Sequence, residues 1–176
     1  MVEIYLLKTI QIALVVLLVA LGLTACATKP QICLADITHE YRVRLLPTFL
    51  EPVELLLQHD ASGTTILSEF SYSGMGGYSP KRRAKPKVFA ISESQWSSFM
   101  KAFHKCAPWD IPEKQPYLTG LDGCSVVFEM REHKQQKKFY RWSPWSYKSE
   151  DRLVSAINEI VKLCPRKKVR EGWLIE

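Results

Sequence analysis

Tyr41-Arg42-Val43-Arg44-Leu45 alternates apolar and basic side chains at every step of the chain. A period of two places Tyr41, Val43 and Leu45 on one side of an extended strand and both arginines on the other, the pattern of a strand with one buried and one wet face. Pro47 and Pro52 then interrupt the chain, residues 53–58 read as a second strand and residues 59–63 as a turn. Residues 64–72 read as a third strand with Ile66, Ser68, Phe70 and Tyr72 sharing one side, and residues 88–91 as a short fourth. Between those two, residues 73–87 are rich in glycine and then in basic side chains, which predicts a long loop.

Ser92-Glu93-Ser94-Gln95 has the spacing of a capping box, in which Gln95 reaches back to the amide that opens a helix. Trp96, Phe99, Met100 and Phe103 follow at the spacing of one helical face, as core residues do. Pro108 and Pro112 end that helix and begin a long connection to Gly123. Residues 125–131 and 138–142 then read as a hairpin around the polar turn 132–137. Ser149 is placed to cap a last helix whose first turn holds Glu150 and Asp151 and whose apolar stripe is Leu153, Ile157, Ile160 and Val161. Pro165 ends it, and Arg166, Lys167, Lys168 and Arg170 bring positive charge to its negative end. The expected fold is α+β, a mostly antiparallel sheet of about five or six strands with two helices packed on one face.

The longest apolar run, Ile12 to Leu23, would span about 18 Å as a helix, short of the roughly 30 Å of a hydrocarbon core but long enough for a secretory leader. Lys8 supplies a basic flank, and Leu23-Thr24-Ala25-Cys26 looks like the lipobox of a bacterial lipoprotein. The resemblance implies cleavage before Cys26 and acylation of its thiol, with two or more acyl chains sufficing for stable attachment. Ala27 after the cysteine resembles the outer-membrane default, facing the periplasm. The expected organisation is a leader at residues 1–25, a lipidated Cys26 and tether to residue 40, one domain at 41–164 and a basic tail at 165–176. Lys8 and Glu3 leave together, so the formal charge of +6 is unchanged by cleavage. Outside the cytoplasm such a charge points away from nucleic acid and toward anionic envelope surfaces or an acidic protein.

Cys33, Cys106, Cys124 and Cys164 remain, an even number in an exported chain, which argues for two disulfides. Cys106–Cys124 is favoured because one loop joins them, leaving Cys33–Cys164 to tie the ends. No C-x-x-C or nearby histidine supports a metal site, and no cofactor is expected.

Gly76-Gly77-Tyr78-Ser79-Pro80, Pro108-Trp109-Asp110-Ile111-Pro112, Gly120-Leu121-Asp122-Gly123 with Glu129 beyond it, and Tyr140-Arg141-Trp142-Ser143-Pro144 resemble motifs of a group of bacterial envelope or secreted proteins with no assigned chemistry. The group's pattern has Trp where this chain has Val126, and Gly where it has Met130. The resemblance covers roughly residues 41–164 and supports the domain limits.

Among these residues Asp122 suits a tight turn. Glu129 lies in an otherwise apolar strand with Arg141 on its partner strand, so an ion pair across the hairpin is expected, an ordinary sheet stabiliser. Buried beside Trp109, Tyr140 and Trp142, that pair would also be the best candidate recognition site. Lys81, Arg82, Arg83, Lys85 and Lys87 form a solvated basic run, suited to an anionic surface or acidic partner. His39, His59, His104 and His133 fall in four separate contexts: tether, turn, helix end and hairpin turn. Gly74-Met75-Gly76-Gly77 lacks the spacing and Lys of a phosphate loop, and no nucleophile-elbow motif is present. The sequence thus favours a non-enzymatic envelope module that binds a periplasmic or envelope protein, of inhibitor or immunity type. The alternatives are a structural accessory of the envelope and, behind it, a hydrolase.

Overall fold

Each extended segment of the sequence finds an antiparallel neighbour. A computed structural model describes residues 36–76, 81, 83–114, 122–167 and 169. Its strands are β1 (Ile37–Pro47), β2 (Val53–Asp60), β3 (Thr65–Ser71), β4 (Lys87–Ile91), β5 (Cys124–Glu132) and β6 (Gln135–Trp142), joined in the spatial order β4-β3-β2-β1-β5-β6. The first four strands form a meander, and the β5–β6 hairpin adds to the free side of β1. Among the described residues the helices α1 (Glu93–Lys105) and α2 (Asp151–Lys162) complete the α+β fold. No helix among the described residues is long and apolar enough to cross a membrane.

The alternation in β1 decides which side the helices cover. Tyr41, Val43 and Leu45 are almost completely buried and join one core with Leu55, Leu57, Leu67, Val126, Phe128, Met130 and Phe139. Trp96, Phe99 and Phe103 of α1 enter the same core, as do Leu153, Ala156, Ile157, Ile160 and Val161 of α2. Both apolar stripes therefore lie on one face of the sheet, and each large buried side chain contributes about 1.5–3 kcal/mol. The α1 capping box forms as the sequence predicts: the Ser92 hydroxyl accepts from the Gln95 amide, and the Gln95 side chain accepts from the Ser92 amide.

Several boundaries differ from the sequence reading. β1 begins at Ile37, inside the expected tether, because His39 pairs with His59 on one side and Glu132 on the other. The hairpin turn shrinks to His133 and Lys134, since the polar residues after them run along a sheet edge where side chains reach water without leaving the strand. The expected basic tail starts inside the fold, with Val169 in the core and Arg166 bonded to Glu69. Ser149 does not cap α2. It lies in a 3-10 turn (Lys148–Glu150), and Glu150 takes the N-cap position without a side-chain capping bond.

The disulfide expectation fails for every cysteine described, because Cys106, Cys124 and Cys164 are free. Cys106 ends α1 with its thiol turned back on the Ala102 carbonyl, whereas Cys124 opens β5 opposite Pro47 with its thiol buried. One loop joins them in sequence, but the sulfurs belong to different layers. Cys164 is buried against Glu69. Cys26, Cys33 and the leader lie outside the described residues.

Candidate functional site

Side chains in a hairpin meet only if register and face agree. Here Glu129 sits opposite Lys138 and Arg141 opposite Val126, so Glu129 and Arg141 occupy opposite faces of the sheet and the expected pair does not form. Arg141 is on the helix side, 1% exposed, and its Nε donates to Glu150 Oε2 at 3.0 Å. Its two terminal nitrogens donate to the carbonyls of Glu113 (2.6 Å) and Pro112. It is an internal clamp joining β6, the start of α2 and the connection after α1. This bond takes up the Glu150 carboxylate, which explains the missing helix cap.

The same parity divides the expected aromatic patch. Trp109 packs against the helix-side core and its carbonyl accepts from Lys137 Nζ, while Tyr140 and Trp142 lie on the other face. Tyr140 is 52% exposed, its hydroxyl 3.0 Å from Ser125 Oγ. Asp122 is exposed and Gly123 is closely packed: its amide donates to Thr48 Oγ1 and its carbonyl accepts from the Thr48 amide. Gly120, Leu121 and residues 77–80 lie outside the described residues.

The helix-free face carries a lattice of charges. Arg44 and Lys138 both reach Glu129 Oε1, at 3.0 and 2.9 Å, and Arg131 lies 3.6 Å from Glu40. Arg42 stands among Glu40, Glu54 and Glu129 at 3.6–3.9 Å, near all three in charge but without a good hydrogen bond to any. Burial works against the charged form of Glu129, but the hydrogen bond and charge of Lys138, helped by Arg44 and Arg42, outweigh it and hold its carboxyl below the ordinary value. Nε of Arg42 and Nε of Arg44 are buried without a hydrogen-bond partner.

The basic run is less free than expected. Arg83 bonds Glu54 at 2.7 Å, lies 3.4 Å above the Phe70 ring and bridges its backbone to Tyr72. Lys87 opens β4 opposite Glu69, leaving Lys81 and Lys85 as exposed cations, and Arg82 lies outside the described residues. Where β1 turns toward β2, Phe49 and Leu50 stand 63% and 64% exposed, a feature that their position between two prolines did not mark.

What the sequence missed most completely is a histidine cluster. His39 and His59 are cross-strand partners, His133 lies with its ring 4.9 Å from that of His39, and His59 stacks on Trp96 at 4.3 Å. His104 approaches Glu132 at 3.7 Å, and the Tyr41 hydroxyl donates to Glu132 at 2.7 Å. Pairing of β1 with both neighbours assembles these residues, so spacing along the chain held no signal of it. Among the described residues no three His, Cys, Asp or Glu side chains converge to hold a metal ion.

Comparison with protein families, curated proteins and solved structures gives no match.

Proposed function

We propose that this chain is a lipid-anchored protein of the bacterial cell envelope, held through Cys26 at the outer membrane and facing the periplasm. Its role is that of a non-enzymatic binding module of inhibitor or immunity type, whose helix-free sheet face receives an acidic periplasmic protein. One observation carries the docking reading: on that face Arg42, Arg44, Arg83, Arg131 and Lys138 outnumber the carboxylates of Glu40, Glu54 and Glu129, and the Nε donors of Arg42 and Arg44 are unspent. Such an excess of positive charge steers and orients a partner whose surface is acidic. Tyr140 adds an exposed aromatic of the kind that anchors interfaces. The anchor reading rests on Leu23-Thr24-Ala25-Cys26 and the short apolar run before it.

The test is capture from detergent-solubilised envelope with the wild-type chain and with Tyr140→Ala/Lys138→Glu, two changes at partly exposed positions. A single stoichiometric partner, released by salt and lost in the variant, is the expected outcome. Equal capture by both chains refutes the docking face, and co-purification with a multiprotein envelope assembly makes the chain a structural accessory instead. Metabolic labelling with a clickable fatty acid tests the anchor, and label persisting in Cys26→Ser refutes it.

A further inference from the structure

The histidine cluster lies on the helix-covered side of the sheet, apart from the docking face. His39 is half-buried at the start of β1, with His59 of β2, Glu132 of β5, His133 of the β5–β6 turn and His104 of α1 as the titratable groups around it. The Thr38 hydroxyl fixes its neighbourhood, lying 2.9 Å from His39 Nδ1 and donating to the His59 carbonyl at 3.2 Å. On the next strand His59 Nδ1 sits 2.7 Å from Thr65 Oγ1, so two adjacent imidazoles are held in place. The β5–β6 turn closes over them: the His133 amide donates to the Thr38 carbonyl at 2.7 Å, with His133 at a left-handed φ of 51°. A residue with a Cβ adopts that conformation uncommonly, histidine more readily than most, and here the bond to Thr38 holds it in place.

We propose that this end of the domain is a proton-responsive latch, closed while His39 is neutral and loosened at the β5–β6 turn when His39 takes up a proton. The rings of His133 and His59 lie 4.9 and 5.7 Å from that of His39, close enough for like charges on them to repel, and the half-buried His39 resists taking up a proton. Burial lowers the pKa of His39 from 6.5, the positive charges of His133, His59 and His104 act in the same direction, and Glu132 opposes them. The unfolded or opened segment therefore binds the proton more readily than the closed one. The stability contributed by neutral His39 is complete above 6.5 and is lost as pH falls from there toward the folded pKa. The open population rises about tenfold for each unit by which that pKa lies under 6.5. A chain outside the cytoplasm would experience such pH changes directly, but the latch acts wherever the domain is.

The measurement is a histidine side-chain NMR titration of the full chain in detergent micelles, from about pH 8 to about pH 4.5, with hydrogen exchange of the Thr38 and His133 region corrected for the intrinsic pH effect. His39 is expected to titrate below 6.5 with a broadened transition, and corrected exchange at the turn to rise across the same range. His133→Asn, which tolerates the left-handed turn and removes one like charge, moves the His39 midpoint upward and shrinks the exchange response. His39→Gln abolishes that response. A His39 midpoint at or above 6.5, flat corrected exchange, or a midpoint unmoved in His133→Asn overturns the proposal.

Discussion

Truncating Arg141 removes the centre of the interior clamp. In Arg141→Ala the Glu150 carboxylate, 3% exposed, loses its charged partner at 3.0 Å, and the Pro112 and Glu113 carbonyls lose this donor. Breaking one side of a buried pair costs about 3–5 kcal/mol, mostly because the remaining charge stays buried. A domain of this size is stable by about 5–15 kcal/mol, so Arg141→Ala gives up roughly a fifth or more of the stability of a typical one. With a urea slope of about 2 kcal/mol/M, the unfolding midpoint followed by tryptophan fluorescence falls by about 1.5–2.5 M. Glu150→Gln keeps an acceptor and costs about 1–3 kcal/mol. The decisive variant is Arg141→Met/Glu150→Leu, which removes both charges together and should recover at least half of the Arg141→Ala loss, because no uncompensated charge remains. An Arg141→Ala cost below about 1 kcal/mol, or a double variant as unstable as the sum of its singles, would refute the account of Arg141 as a buried, paired clamp.

Two glycines are fixed by contact. A Cβ at Gly76 would lie 2.7 Å from the Pro47 carbonyl oxygen and 2.9 Å from Leu46 backbone atoms, whereas one at Gly123 would meet the side chains of Ser143 and Trp142. Gly76→Ala should therefore lower the melting temperature more than Gly123→Ala, since backbone yields less than side chains, with overpacking costs of about 1–3 kcal/mol. Ser92→Ala removes the α1 cap and should cost about 1 kcal/mol in chemical denaturation, with no effect on partner capture. At mildly alkaline pH, maleimide should label Cys106 well before Cys124, whose thiol burial pushes up to about 12. A Cys106–Cys124 linked peptide in a non-reducing digest would overturn the free-thiol assignment.

The periodic features of the chain are local, and the sequence displayed them. The alternation from Tyr41 to Leu45 marked the helix-covered side of the sheet, and Ser92 with Gln95 marked where α1 begins. Side-chain partners across strands depend on register, which a stretch such as residues 125–142 does not specify by itself. A shift of one residue exchanges the faces, and for that reason Glu129 and Arg141, adjacent in expectation, are on opposite sides. Likewise Ser149 had the chemistry of a cap, but the buried Arg141 required a carboxylate at Glu150 and took precedence.

By itself, the sequence determined the class of fold, the limits of α1, the order of strands along the chain and the excess of positive charge. Tertiary structure alone decided that Arg141 is an interior clamp, that the arginines of β1 share a face with Lys138, and that histidines distant in sequence form one cluster around His39. The difference is physical: propensity and periodicity act over a few residues, whereas β1 meets β2 and β5 through contacts that exist only after the chain has closed on itself.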